Sequence, residues 1–295
     1  MKKFLLWLRI IRPQTLFASL VPVLVAILVV ERGAAGAVCA IHPVLTAVLT
    51  AVCALSLQIL SNLINDYYDF VRGTDKAGRA GFKRALAEGE VSKDQMKHAC
   101  FIALGVSVLC GAYLIYEGGL PIILIGISAI LFAWLYTATS HSLSYLGIAD
   151  IFVFLYYGVV ASAGTSFLLT HEFSLTAFHA GAVCGLISMC VLMINNLRDI
   201  ESDKAAGKKT IPVRFGKKTA ETIMLVEALL VPVFAYLAFG FSFSMLTGVA
   251  TFAIYLSVLK AQGPVYNRCL LKTGMVNLLY LVFCLVDWCV FCIAA

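Results

Sequence analysis

Charge is what this sequence has least of. Asp, Glu, Lys and Arg make up 13% of its 295 residues, hydrophobic residues make up 61%, and the mean hydropathy is +0.95. A soluble domain carries about 25% charged residues. A chain this poor in charge cannot cover an apolar core with a wet surface, so soluble, disordered and disulfide-framework folds are excluded. Histidine is scarce as well. The five (His42, His98, His141, His171, His179) show no HExxH or comparable ligand spacing, which argues against a zinc site. The ten cysteines lie almost entirely in apolar runs, where a thiol behaves as a small hydrophobe. Cys289 and Cys292 form a CxxC in such a run, with no second pair. A leader cleavage signal is missing too. MKKFLLWLRIIRP begins like a signal peptide, but Arg9 and Arg12 interrupt its apolar stretch, so the expectation is a retained, amphipathic lead-in.

What the chain has in abundance is long apolar runs. A membrane-crossing helix needs about 20 mainly apolar residues. Nine stretches qualify, at roughly 14–32, 43–64, 97–116, 120–138, 146–169, 175–196, 220–239, 241–260 and 274–293. Charges within them are few, as the cost of a charge at mid-bilayer demands. Glu227 is the exception, facing the bundle interior or lying nearer the interface. Of the 22 Lys and Arg residues, all but Arg32 fall on one side of this arrangement. The positive-inside rule makes that side cytoplasmic. The N-terminus is then inside and, after nine crossings, the C-terminus outside. The net charge of +6 thus belongs to cytoplasmic loops, where it suits anionic lipid or anionic substrate and not nucleic acid. Two of these connections, 65–96 and 197–219, are long and polar.

An acidic cluster straddles the start of each, at the end of the preceding span. The first is Gln58, Asn62, Asn65, Asp66, Asp69 and Asp75; the second is Asn195, Asn196, Asp199 and Asp203. Residues three or four apart share a helix face, so Asn62–Asp66, Asn65–Asp69, Asn195–Asp199 and Asp199–Asp203 each point the same way. The clusters lie four crossings apart, so their helices run in the same direction. That suggests two four-helix units and an appended ninth helix. A helix C-terminus is electronegative, and acids gathered there are destabilising unless a cation is present. Oxygen-only ligands favour Mg²⁺ or Ca²⁺, and Mg²⁺ commonly binds one or two carboxylates plus substrate phosphates. Basic residues follow each cluster: Arg72, Lys76, Arg79, Lys83 and Arg84, then Arg198, Lys204, Lys208 and Lys209. The pattern reads as a Mg²⁺–diphosphate site at the inner interface.

NDYYDF and NNLRDIESD resemble the two Asp-rich motifs of the UbiA superfamily of intramembrane aromatic prenyltransferases. LRIIRPQTLFASLVPVLVA is similar to that family's opening helix, and YTATSHSLSYLGIADIFVFLYYG to its central Tyr-rich segment. The extended form NDYYDFVRGTDKAGR, with RALAEGEVS and the 267–273 segment, resembles the menaquinone branch, the 1,4-dihydroxy-2-naphthoate prenyltransferases. At 137–144 the chain departs from a related branch, whose Gly- and Pro-rich stretch is replaced here by Thr137-Ala-Thr-Ser-His-Ser.

The resemblance implies an all-α integral membrane fold: one domain, residues 1–295, of nine helices around a central cavity, with the two polar connections as cytoplasmic caps. It implies a bacterial plasma-membrane enzyme that uses Mg²⁺, as two ions bridging the diphosphate. By motif position, Asn65, Asp69, Asp199 and Asp203 would hold the metal–diphosphate. Asp66, Asp69, Asp199 and Tyr136 would be catalytic, with Tyr136 beside the allylic carbon. Arg72, Lys76, Lys83, Arg84, Lys204 and Lys209 would meet the diphosphate, and Asn62, Tyr145 and Phe154 would line the acceptor and prenyl pocket. Asp66 or Asp75 would serve as base. The partners implied are a polyprenyl diphosphate, an aromatic acceptor and membrane lipid, with no nucleic acid and no obligate protein partner. Two alternatives stand beside this reading: the same enzyme with 4-hydroxybenzoate, haem or homogentisate as acceptor, and a polytopic ion or phosphate transporter. Against the transporter, the acids cluster at one interface and not near mid-membrane on broken helices.

Overall fold

A computed structural model describes residues 2–33, 36–73, 83–137, 143 and 147–294. Every regular element among them is helical. Helix α1 (Lys2–Ile11) is amphipathic, with Ile10 buried and Phe4 and Leu5 exposed. It ends at Arg12, which takes a left-handed φ of 55°, and Pro13 opens α2 (Pro13–Glu31). A proline suits the first turn of a helix, where its missing N–H costs nothing. The corner itself is strained, because a left-handed non-glycine residue is uncommon.

Helix α3 (Pro43–Val71) runs two turns beyond the expected 43–64, so Asn65, Asp66 and Asp69 are helical and not part of a loop. Gly73, at φ 71°, follows its end in the left-handed conformation that commonly closes a helix. Helix α4 (Lys93–Thr137) begins with a capping box: the Ser92 Oγ accepts from Gln95 N at 3.1 Å, and Ser92 N donates to the Gln95 side chain at 2.9 Å. It breaks at Gly119, whose φ 62° and ψ −144° are open to glycine alone, so the run is two helical segments.

Helix α5 (Ala149–Phe154) continues through a wider π-turn at Leu155–Val159 into α6 (Val160–Thr170). Gly158 lets this turn approach its neighbour closely. It packs so closely on α7 (Leu175–Arg198) that a Cβ there would lie 2.6 Å from the Gly181 carbonyl and from Gly185 Cα. Short helices α8 (Ile200–Ala205) and α9 (Ile211–Phe215) occupy the long polar connection at 197–219. Helix α10 (Lys217–Phe239) follows, then a 3₁₀ turn at Phe243–Leu246, α11 (Thr247–Leu259) and α12 (Val265–Ala294). Asp287 holds that 3₁₀ turn by accepting from Phe243 N at 2.8 Å and Ser244 N at 3.0 Å.

Among the described residues seven helices are long and apolar enough to cross a membrane, with Phe243–Leu259 as a shorter apolar helix. Helix α7 is the centre of the bundle. Its apolar stretch is 72% buried, against 17% for the Lys93–Leu135 run. Outward-facing Phe101, Ile102, Leu109, Leu124 and Val249 stay exposed, as lipid-facing positions of a membrane bundle would. Glu227 of α10 faces inward. It is 2% exposed and accepts from the Cys190 thiol of α7 at 3.2 Å, which settles the sequence alternatives in favour of the interior.

Candidate active site

The C-terminal ends of α3 and α7 both open onto one cavity of about 480 Å³, within the usual size of a small-molecule site. Its lining includes Asn65 and Asp69 from α3, and Asn195, Asn196, Asp199 and Asp203 from α7 and α8. The two acidic motifs, about 130 residues apart in sequence, thus share one space. Arg12, Arg84, Arg198 and Lys208 line the same cavity. Deeper in, its walls are apolar: Leu57, Leu114, Ile122, Ile125, Ala129 and Leu168.

The α3 side is built by reaching across the chain. Asn62 donates to the Ile11 carbonyl at 3.1 Å and to the Thr15 hydroxyl at 3.0 Å, which staples the α1–α2 corner to α3. The strained turn at Arg12 then lays its guanidinium on Asp66. Arg84 reaches the same Asp66 oxygen at 2.7 Å, and Asp66 is 3% exposed. One turn on, Asn65 donates to Asp69 at 3.2 Å, on the helical spacing expected. Asp66 itself is not among the cavity-lining residues.

The α7 side is built locally. The helix ends at Arg198, and Asp199 (φ −100°, ψ 14°) caps it, so Asp203 sits on a separate short helix and the expected straight stripe bends at Asp199. Arg198 grips the Asp199 carboxylate with two bonds, of 2.8 and 2.6 Å, and donates its remaining arm to Asn267 of α12 at 2.8 Å. Lys208 lies 3.5 Å from Asp203.

Other expected residues fall elsewhere. Lys83, Lys204 and Lys209 are exposed, and neither they nor Arg72 line the cavity. Phe154 packs its ring on Gly185 and does not line the cavity. Tyr156 and Tyr157 line it instead, with Phe132 stacked on Tyr156 at 4.8 Å. The π-turn changes which face these aromatics present. Lys76, Asp75 and Tyr145 lie outside the described residues, and for Tyr136 only its place near the end of α4 is described. Sequence reasoning missed Asp150, Ser188 and Asn277, all buried and lining the cavity. Each reads as an isolated polar residue in an apolar run, so spacing offered no signal.

Among the described residues no three His, Cys, Asp or Glu side chains gather into a ready-made metal cluster. The donors fit magnesium differently. They are oxygen donors in two sets, Asn65 with Asp69 and Asp199 with Asp203, opening on one cavity. Such sets leave coordination positions for phosphate oxygens.

Comparison with known proteins agrees with this architecture. The chain is 34% identical over 220 residues to the 1,4-dihydroxy-2-naphthoate octaprenyltransferase of Escherichia coli, covering 72% of this chain and 70% of that one. To the protein of the same name from Mycobacterium tuberculosis it is 32% identical over 280 residues, covering 90% and 87%. A UbiA homologue from Archaeoglobus fulgidus bound to DMAPP and Mg²⁺ shares the fold, with a TM-score of 0.58 at 19% identity over 96% of this chain and 99% of that one. Residues 19–284 match the UbiA prenyltransferase family, and with most of its length so matched this integral membrane protein belongs to that family.

Proposed function

We propose that this chain transfers a polyprenyl group from an allylic polyprenyl diphosphate to 1,4-dihydroxy-2-naphthoate, with loss of CO₂, giving demethylmenaquinol. The observation that carries the reading is the convergence of Asn65, Asp69, Asp199 and Asp203 on one cavity with Arg84, Arg198 and Lys208. The names of the bacterial relatives support the acceptor, and the DMAPP–Mg²⁺ complex of the archaeal homologue supports the metal.

Asn65, Asp69, Asp199 and Asp203 would hold Mg²⁺, two ions in our reading. Bound there, the metal supplies Lewis-acid neutralisation of the diphosphate leaving group. Arg84, Arg198 and Lys208 line the cavity and attract the diphosphate. Arg72, Lys76, Lys83, Lys204 and Lys209 would draw it in from the polar connections as a field of positive charge. As the allylic C–O bond stretches, positive charge grows on carbon. The faces of Phe132 and Tyr156 stabilise it by cation–π contact, and the motif assigns Tyr136 the same role. Asn62 and Tyr145 are assigned to the acceptor and prenyl pocket in this scheme. The apolar walls keep water from the cation.

We read the Lys93–Thr137 run as two crossings joined at Gly119. At 45 residues it would span about 67 Å, more than twice the roughly 30 Å hydrocarbon core. With Phe243–Leu259 as a short crossing, the chain makes nine in a single domain, two four-helix units and a last helix. The one-sided Lys and Arg distribution supports cytoplasmic caps at 65–96 and 197–219, an N-terminus inside and a C-terminus outside.

The test uses purified protein in nanodiscs with a labelled polyprenyl diphosphate, offered 1,4-dihydroxy-2-naphthoate and 4-hydroxybenzoate in parallel, with Mg²⁺ or with EDTA. A prenylated, decarboxylated naphthalenediol formed only with Mg²⁺ is expected. Product from 4-hydroxybenzoate alone would overturn the acceptor and keep the metal site. No product and no diphosphate release from folded protein would overturn the enzyme reading.

A further inference from the structure

Substitution on a phenolic ring goes faster as the hydroxyl gives up its proton, and the group that takes the proton must face the cavity with a lone pair to spare. Among the described residues four carboxylates line the cavity: Asp69, Asp150, Asp199 and Asp203. Three are already engaged. Asp69 accepts from Asn65, Asp199 is gripped by Arg198, and Asp203 lies beside Lys208. Asp66 spends an oxygen on two arginines and does not line the cavity.

Asp150 differs from all of these. It is the second residue of α5 and 5% exposed, and its Oδ1 has no hydrogen-bond partner among the described residues. Across the bundle it interacts electrostatically with another acid, Glu227 of α10, which is itself bonded to Cys190 of α7. A buried carboxylate oxygen without a donor is costly to keep, and a diphosphate would be repelled by it. A hydroxyl of the acceptor would satisfy it. The start of α5 is also firmly placed. Gly147, at φ 74°, packs so tightly on the second acidic connection that a Cβ there would lie 2.1 Å from the Lys209 carbonyl.

We propose that Asp150 is the catalytic base for the acceptor, taking the proton of the hydroxyl beside the carboxylate-bearing ring carbon. The inference rests on the reaction proposed above. As Asp150 takes the proton, the O–H electron pair moves into the ring. The neighbouring ring carbon bonds to the allylic carbon, whose C–O bond breaks with its pair leaving on diphosphate. The product of that step is a β-keto carboxylate. It loses CO₂, the C–C pair restores the aromatic ring and its oxyanion, and Asp150 returns the proton to that oxygen. No oxidant or reductant is consumed.

The experiment compares wild type, Asp150→Asn and Asp150→Glu in nanodiscs with Mg²⁺, a polyprenyl diphosphate and 1,4-dihydroxy-2-naphthoate. Asp150→Asn is expected to lose about 10²–10⁴-fold in kcat while its prenyl diphosphate Kd stays within about twofold, and Asp150→Glu to recover at least about tenfold over Asn. An acceptor whose electron-withdrawing substituent leaves its hydroxyl ionised at the assay pH should narrow the loss. A kcat for Asp150→Asn within about threefold of wild type, or a collapse of diphosphate affinity in step with kcat, would overturn the proposal. Should Asp150→Asn fail to fold, wild type and Asp150→Glu assayed across acceptors of graded hydroxyl acidity decide it, since an unchanged dependence would also overturn it. Wild type that prenylates a different phenol and ignores the naphthoate sinks the acceptor assignment alone, and Asp150 is then tested on that phenol. Wild type active on the naphthoate with Asp150→Asn unimpaired sinks only the base.

Discussion

The C-terminal ends of α3 and α7 look like copies of one motif in sequence, yet the fold builds them in opposite ways. On α3 the carboxylates stand on an unbroken helix, and the cations reaching Asp66 come from far along the chain, Arg12 from the α1–α2 corner and Arg84 from the following connection. On α7 the helix stops at the motif, and the cations are neighbours, Arg198 beside Asp199 and Lys208 beside Asp203. The α3 end therefore ties the architecture together through its acid. The α7 end bends its acids into the cavity and leaves them within reach of ligand. Duplication of a motif has not duplicated its job.

The largest effects should fall where the two ends agree. Asp69→Asn and Asp199→Asn should each lower kcat by about 10²–10³-fold, since each removes a charge aimed at the diphosphate site. Assays at saturating substrate with excess Mg²⁺ check this, and an active variant at either position would make that motif structural. The next effect separates the ends. Asp66→Asn leaves two guanidinium groups facing a neutral amide, and breaking a buried ion pair typically costs about 3–5 kcal/mol. Thermal unfolding in detergent should register that loss. Asn267→Ala at the α7 end removes one hydrogen bond to a charged group, worth about 1.5–3 kcal/mol. It should raise KM for the prenyl diphosphate more than it lowers the melting temperature. Equal destabilisation by the two changes would erase the contrast.

Much of this was legible in the sequence because the membrane imposes a simple grammar. Apolar runs located the helices to within a few residues at α2, α7 and α10, and i,i+4 spacing correctly paired Asn65 with Asp69. What escaped depended on long-range packing. The role of Arg12 follows from a left-handed turn before Pro13 and an Asn62 staple 51 residues away from Ile11. Phe154 reads as a pocket residue on a regular helix, but the π-turn at Leu155–Val159, seated by Gly158 on Gly181 and Gly185, moves the cavity face to Tyr156 and Tyr157. The bend at Asp199 was equally hidden, because NNLRDIESD carries no glycine or proline to announce it.

The smallest expected effects test how locally the α7 end is built. Lys204, Lys208 and Lys209 are interchangeable in composition, and all three follow the second motif. Only Lys208 lines the cavity and approaches Asp203; Lys204 and Lys209 are exposed. A lysine that meets the diphosphate contributes a charge-assisted contact, so Lys208→Ala should raise KM about tenfold. An exposed lysine contributes only to a screened field. Lys204→Ala and Lys209→Ala should change KM by less than about twofold at 0.15 M salt, and by more as salt is lowered, while Lys208→Ala stays impaired at every salt concentration. Steady-state titrations of the prenyl diphosphate at three ionic strengths would show the difference. If the three variants lose equally and recover together with salt, the α7 end acts as a diffuse basic loop, and its charges are no more local than those that reach across to α3.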